Sequence, residues 1–186
     1  SFSEADFVLQ GTTHFNMTSR PAFAPVLTVY EGTAYVLFID PEAFGHYYHS
    51  SNGWNEQYTN PKLSVMKYDG SWSLVGSAQF SPVVYKTSAS GQTSGTQVGG
   101  EIAPNTDTHS LYKGAICVGG GKVFVTATDS LDNGFIMQFD GSSWTTIKAN
   151  YGTGVRNPTM FYDNGKLKIV YAKADGTGMV MYLHTL

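Results

Sequence analysis

Apolar residues along this chain recur in short runs cut by Gly, Asp and Asn, the spacing of strands joined by tight turns rather than of helices. Val26 to Tyr30, the turn Glu31-Gly32 and the run Thr33 to Asp40 read as a strand pair. Ala115 to Val118, Gly119 to Gly121 and Lys122 to Asp129 repeat that pair, and Thr159 to Tyr162, Asp163-Asn164-Gly165 and Lys166 to Ala172 repeat it again. A second hairpin follows two of the pairs. Leu63 to Tyr68, Asp69-Gly70 and Trp72 to Gly76 match Phe135 to Phe139, Asp140-Gly141 and Trp144 to Ile147, with Asp-Gly as the turn signal and Trp opening the outer strand. The third copy supplies Met179 to Leu183 and then stops short of a fourth strand.

A four-strand meander copied three times predicts an all-β, β-propeller-like chain of three four-stranded antiparallel blades in a single domain, 1–186. Blade 1 spans about residues 20–76, blade 2 about 77–149 and blade 3 about 150–186. The N-terminal run 5–11, which resembles Ser71 to Gly76 in carrying apolar residues and then Gly, is expected to complete blade 3. A sandwich with the same strand spacing gives no reason for a Trp-bearing hairpin to recur after Asp-Gly. Three blades fall short of the roughly four to eight that close a ring. The open faces therefore call for a second copy, giving a six-bladed dimer, or for further blades of a longer parent chain.

Composition agrees with a strand-rich globular protein: 186 residues are 41% hydrophobic and 14% aromatic, with 21 glycines and only 13% charged residues. A formal charge of −3, with no cluster of Lys and Arg, gives no footprint for nucleic acid or for an anionic membrane surface. No run reaches the roughly 18 apolar residues of a helical span. The single cysteine, Cys117, sits in the apolar run Ala115 to Val118 and reads as a buried, inert thiol. A start at Ser1 and the sequon Asn16-Met17-Thr18 favour a secreted or cell-surface protein, or an excised piece of one.

Tyr68-Asp69-Gly70-Ser71-Trp72 and Phe139-Asp140-Gly141-Ser142-Ser143-Trp144 resemble the blade hairpins of secreted bacterial propellers and of propeller lectins, some of which build rings from short chains. The pattern departs from the sialidase Asp-box, Ser-x-Asp-x-Gly-x-Thr-Trp, because Asp and Gly are adjacent here and no Ser or Thr stands two residues before Asp. Arg20 and Arg156 are the chain's arginines, too few for a site that grips a carboxylate with three.

Two insertions interrupt the repeat, and insertions on a rigid scaffold are where function concentrates. Residues 41–61 form an aromatic loop with His46, Tyr47, Tyr48, His49, Trp54 and Tyr58 among small polar residues. Aromatic faces stack on sugar rings while hydroxyls and amides supply hydrogen bonds, so these six are the candidate ligand-binding residues; packing onto the parent blade is the alternative. Residues 87–108 are polar and offer little to bury. His46 and His49 lack an identifiable third ligand, and Asp129, Asp132 and Asn133 fit a hydrogen-bonded turn better than a calcium loop, so neither a metal nor a cofactor is expected. Gly119-Gly120-Gly121-Lys122 joins two strands and is no phosphate loop.

The functional expectation is a non-catalytic extracellular recognition module, binding glycan or an extracellular protein through the aromatic loop, with homo-oligomerisation or further blades covering the open faces. A structural domain of a larger surface protein is a second reading. A third is a glycoside hydrolase using Asp40 and Asp129, which fall at the end of the same strand in successive copies, as does Asp175 just beyond its strand.

Overall fold

The computed structural model describes residues 22–41, 43–49, 53–59, 61–84, 100–102, 114–129, 131, 133–174 and 179–186. Blade 1 is the antiparallel sheet β1 (Phe23–Tyr30), β2 (Thr33–Asp40), β5 (Lys62–Tyr68) and β6 (Trp72–Leu74), in that spatial order. Between β2 and β5 the chain makes the hairpin β3 (Ala43–His49) and β4 (Gly53–Thr59). That hairpin pairs with β7 (Gly100–Ile102) to form a separate three-stranded sheet. Blade 2 follows as β8 (Ala115–Gly119), β9 (Lys122–Thr128), β10 (Asn133–Phe139) and β11 (Trp144–Thr153). Blade 3 holds β12 (Val155–Asp163), β13 (Lys166–Ala174) and β14 (Met179–Thr185).

The meander repeat and the propeller-like arrangement are thus present: β8 packs between β1 and β12, so the first strand of each blade lies next to the first strand of its neighbour. Of the three four-stranded blades expected, blades 1 and 2 show four strands each. Among the described residues blade 3 has three strands, and residues 5–11, assigned as its fourth, lie outside them. The first insertion is a hairpin rather than a loop, and the second contributes strand β7.

Turn chemistry fixes the register of the inner hairpins. Glu31 and Gly32 (φ 48° and 79°), Gly120 and Gly121 (58° and 72°) and Asn164 and Gly165 (49° and 78°) all place both central residues in the left-handed region. That is the two-residue turn whose twist suits a hairpin, and Gly and Asn tolerate it at little cost.

Alternation then assigns one face of each strand to each neighbouring blade. Leu37, Ile39, Leu63 and Val65 of blade 1 meet Ile116, Val125, Phe135 and Met137 of blade 2. The other face of blade 2, with Ala115, Cys117, Phe124 and Ile136, meets Met160, Leu167, Ile169 and Tyr171 of blade 3. Each fully buried aliphatic or aromatic side chain contributes about 1.5–3 kcal/mol of transfer free energy, and these two interfaces hold most of the buried apolar side chains among the described residues.

The outer edge of blade 1 is irregular. After β6 the chain runs beside β5, held by Val75 N–H on Val65 O (2.9 Å), Phe80 N–H on Leu63 O (3.1 Å) and Val84 N–H on Pro61 O (2.8 Å). Trp144 of blade 2 seals this edge by stacking on Phe80 and donating its indole N–H to Val75 O at 2.7 Å.

Candidate functional site

The chain leaves the blades for both insertions at the end that carries both candidate carboxylates. Asp40 closes β2 opposite Lys62, the first residue of β5, so the β3–β4 hairpin leaves and returns there. Val84 N–H reaches Pro61 O at this same end before the chain enters the second insertion, which returns at Gly114 to start β8. β4 and β7 tie the insertions together through the pairs Glu56↔Ile102, Gln57↔Glu101 and Tyr58↔Gly100.

Counted from the hairpin pairs Tyr30↔Thr33 and Gly119↔Lys122, Asp40 and Asp129 occupy the same place in blades 1 and 2. Their surroundings differ. Asp40 is 1% exposed and its Oδ2 accepts the Ser64 hydroxyl at 2.9 Å. Ser64 Oγ in turn accepts Gln79 N–H at 2.8 Å, while the Gln79 side-chain amide donates to Asp40 O at 3.2 Å. Ser81 Oγ, accepting Leu63 N–H at 2.9 Å, extends the same seam. An irregular segment packed against a strand has no regular ladder for its backbone polar groups, and a buried unpaired donor costs about 1–3 kcal/mol. Asp40, Ser64 and Ser81 supply the missing partners. Gln79 reaches them from a left-handed backbone conformation, φ 53°.

Asp129 is half-buried, and its Oδ1 accepts the backbone N–H groups of Leu131 (2.9 Å) and Asn133 (2.8 Å). This is the hydrogen-bonded turn the sequence suggested. Asn133 continues outward, its Oδ1 accepting from the Asn150 side-chain amide and the Thr153 hydroxyl, each at 2.8 Å. Asp132 and Asp175 lie outside the described residues.

The backbone places His46, Tyr47, Tyr48 and His49 on β3 and Trp54 and Tyr58 on β4. Tyr48 pairs with Trp54, His46 with Glu56 and Phe44 with Tyr58; the side chains of this hairpin lie outside the described part of the structure. Ser64, Gln79 and Ser81 were missed in the sequence, although a serine inside the apolar run Leu63 to Met66 was a usable signal.

Elsewhere, a cavity of about 190 Å³ opens between blades 2 and 3, lined by Lys148, Asn150, Tyr151 and His184 over Ile136 and Ile169. It contains none of the candidate residues. Burial pushes the Tyr151 hydroxyl up to about 12, despite its hydrogen bond with Thr126 (2.9 Å), and burial likewise pushes the Cys117 thiol up to about 12, the behaviour of an inert core cysteine. Among the described residues no group of three or more His, Cys, Asp or Glu side chains is placed to hold a metal ion, and no helix is long and apolar enough to cross a membrane.

No protein-family model and no curated protein sequence matches the chain. Solved structures do. A Trypanosoma rangeli sialidase in complex with sialic acid is similar over 87% of this chain and 22% of its own, at 9% identity and a TM-score of 0.48. The Bacteroides ovatus xyloglucan PUL GH43B protein is similar over 87% of this chain and 30% of its own, at 13% identity and a TM-score of 0.45. An α-L-arabinofuranosidase from Clostridium thermocellum is similar over 93% of this chain and 71% of its own, at 14% identity and a TM-score of 0.32. The chain thus spans under a third of the length of the first two.

The propeller-like arrangement is carried by the chain's own meander sheets and by the packing of β8 between β1 and β12, and the likenesses single out neither a lectin nor any one family. Against the expectations of a non-catalytic recognition module and of a chain that is not an enzyme, the solved structures named here are a sialidase, a GH43B protein and an α-L-arabinofuranosidase.

Proposed function

We propose that this chain belongs to a secreted or cell-surface glycoside hydrolase, with its sugar site at the blade end that carries Asp40, Asp129 and the two paired insertions. The observation that supports this most is that two register-equivalent carboxylates close the same end of adjacent blades, the end from which the β3–β4 hairpin leaves and to which it returns. Glycosidic bonds are cleaved by paired carboxyl groups, one protonating the leaving oxygen while the other attacks the anomeric carbon or activates water. In this reading Asp129 is the carboxylate nearer solvent and Asp40 the deeper one, its Oδ2 accepting the Ser64 hydroxyl. Tyr47, Tyr48, Trp54 and Tyr58 of the hairpin offer stacking faces to sugar rings, and His46 and His49 offer hydrogen bonds. The substrate is an extracellular glycan.

The test is turnover of a panel of chromogenic arabinofuranosides, xylosides, glucosides and sialosides. Turnover is expected for at least one, with Asp40→Asn and Asp129→Asn each lowering kcat by about a hundredfold or more and Trp54→Ala chiefly raising KM. Thermal melts of the same variants separate lost chemistry from lost fold. A folded chain that turns over none of the panel overturns the proposal.

A further inference from the structure

The three inner hairpins share one origin, so the blades can be compared position by position from Tyr30↔Thr33, Gly119↔Lys122 and Asp163↔Lys166. On the face that blade 1 turns to blade 2, the cross-strand pair Leu37↔Val65 is buried. On the face that blade 2 turns to blade 3, the equivalent pair is Thr126↔Ile136, again buried. Blade 3 carries the same pair as Val170↔Leu183, and there Leu183 is 63% exposed. Phe161, at the position of buried Cys117, is 44% exposed, and Met181 beside them is 64% exposed.

The reciprocal face is open at the other end of the row. Blade 2 receives blade 1 through Ile116 and Val118, and blade 3 receives blade 2 through Met160 and Tyr162 at the same positions. Blade 1 presents Leu27 and Val29 there, 64% and 62% exposed. The outer part of that face, Val36, Phe38 and Met66, is already buried beside Trp72 and Leu74, which leaves the inner strand as the open surface.

We infer that blade 3 of one copy docks on blade 1 of a second copy, repeating the junction the chain already makes twice within itself. The occupant follows from register: the two free faces are the two halves of one interface type, and an apolar sheet face of this kind is costly to leave in water. The contact is heterologous, and because each copy offers one half of each kind, two copies satisfy both junctions in a closed ring. This rests on the propeller fold and not on the catalytic reading, so a failure of either leaves the other standing.

Sedimentation velocity of the chain across a concentration series tests it. A two-chain species is expected. Val29→Asp should weaken association by roughly a hundredfold or more by burying an unpaired charge, and Leu183→Asp should do the same, with far-UV circular dichroism unchanged because both positions are exposed in the single chain. The deciding measurement mixes the two variants. The first keeps an intact blade 3 face and the second an intact blade 1 face, so an equimolar mixture should recover association that neither shows alone. Leu27→Lys and Met181→Lys serve as a second pair if an aspartate impairs folding. A wild-type chain that stays monomeric up to its solubility limit, or folded variants that remain monomeric when mixed, overturns the inference.

Discussion

Trp144, the first residue of β11, lies flat on Phe80 of blade 1, with ring centroids 3.7 Å apart and planes 3° from parallel. The same indole donates to Val75 O at 2.7 Å and is packed by Phe139 at 5.4 Å. One side chain thus both covers the irregular edge of blade 1 and fixes it to blade 2. Trp144→Ala should cost about 2–4 kcal/mol, the lower part of the range for truncating a large aromatic because the site is half-buried. Trp144→Phe keeps a stacking ring and loses only the hydrogen bond, so its cost should be nearer 1 kcal/mol. Urea unfolding of the two variants gives both numbers, and equal losses would contradict this division.

A second prediction concerns the inner strands. A Cβ at Gly119 of β8 would overlap the ring of Tyr162 on β12 and stand 2.6 Å from its Cβ. The Tyr162 side chain lies too close over Gly119 to admit any side chain there. Gly119→Ala should destabilise the fold by about 1–3 kcal/mol through overpacking. In a Tyr162→Gly background, which removes the Cβ as well as the ring, the same substitution should cost far less, a coupling that a double-mutant cycle in urea would measure.

The turn of the blade 2 hairpin gives a pH prediction. Backbone N–H groups of Ser143 and Ser142, with the Ser142 hydroxyl, all donate to Asp140 Oδ1, and they hold its carboxyl down at about 2. A carboxyl of an unfolded chain titrates near pH 3.9. The charged form is therefore favoured in the folded state, and the stabilisation is fully present above about pH 4 and disappears as pH falls towards about 2. Asp140→Asn should melt below the wild type at neutral pH, and the gap should close over that acid window. A gap that stays constant with pH would remove the carboxylate from the account.

Much of the scaffold was legible because its hairpins are written in local chemistry. Gly120-Gly121 and Asn164-Gly165 can occupy left-handed turns where most residues cannot, and the recurring Trp after Asp-Gly marked the outer hairpin. Less local features were not visible. β7 exists through its pairing with β4, and nothing in Gly100-Glu101-Ile102 alone announces a strand. Ala43 to His49 reads as a loop because Gly and paired aromatics blur its alternation, yet it pairs in full register with Gly53 to Thr59. Asp40 and Asp129 were found by repeat position. Their different environments, one knitted to Ser64 and Gln79 and the other capping a turn, depend on whether the neighbouring edge is irregular or a continuous strand. Fold alone does not confer chemistry, which is why the two carboxylates need the kinetic test.

β11 is the outermost strand of blade 2, runs from Trp144 to Thr153 and is almost wholly solvent-facing from Thr145 to Asn150. A free strand of this length is a template on which another chain could add a strand and start a fibril. Its pairing with β10 is broken by two register shifts, and Lys148, opposite Ile136, stands between them. Bulges twist the row of donors and acceptors out of line, and a lysine there makes desolvation costly, so the edge resists uncontrolled growth. Lys148→Val should accordingly lower the concentration at which the chain aggregates, an onset that light scattering would read.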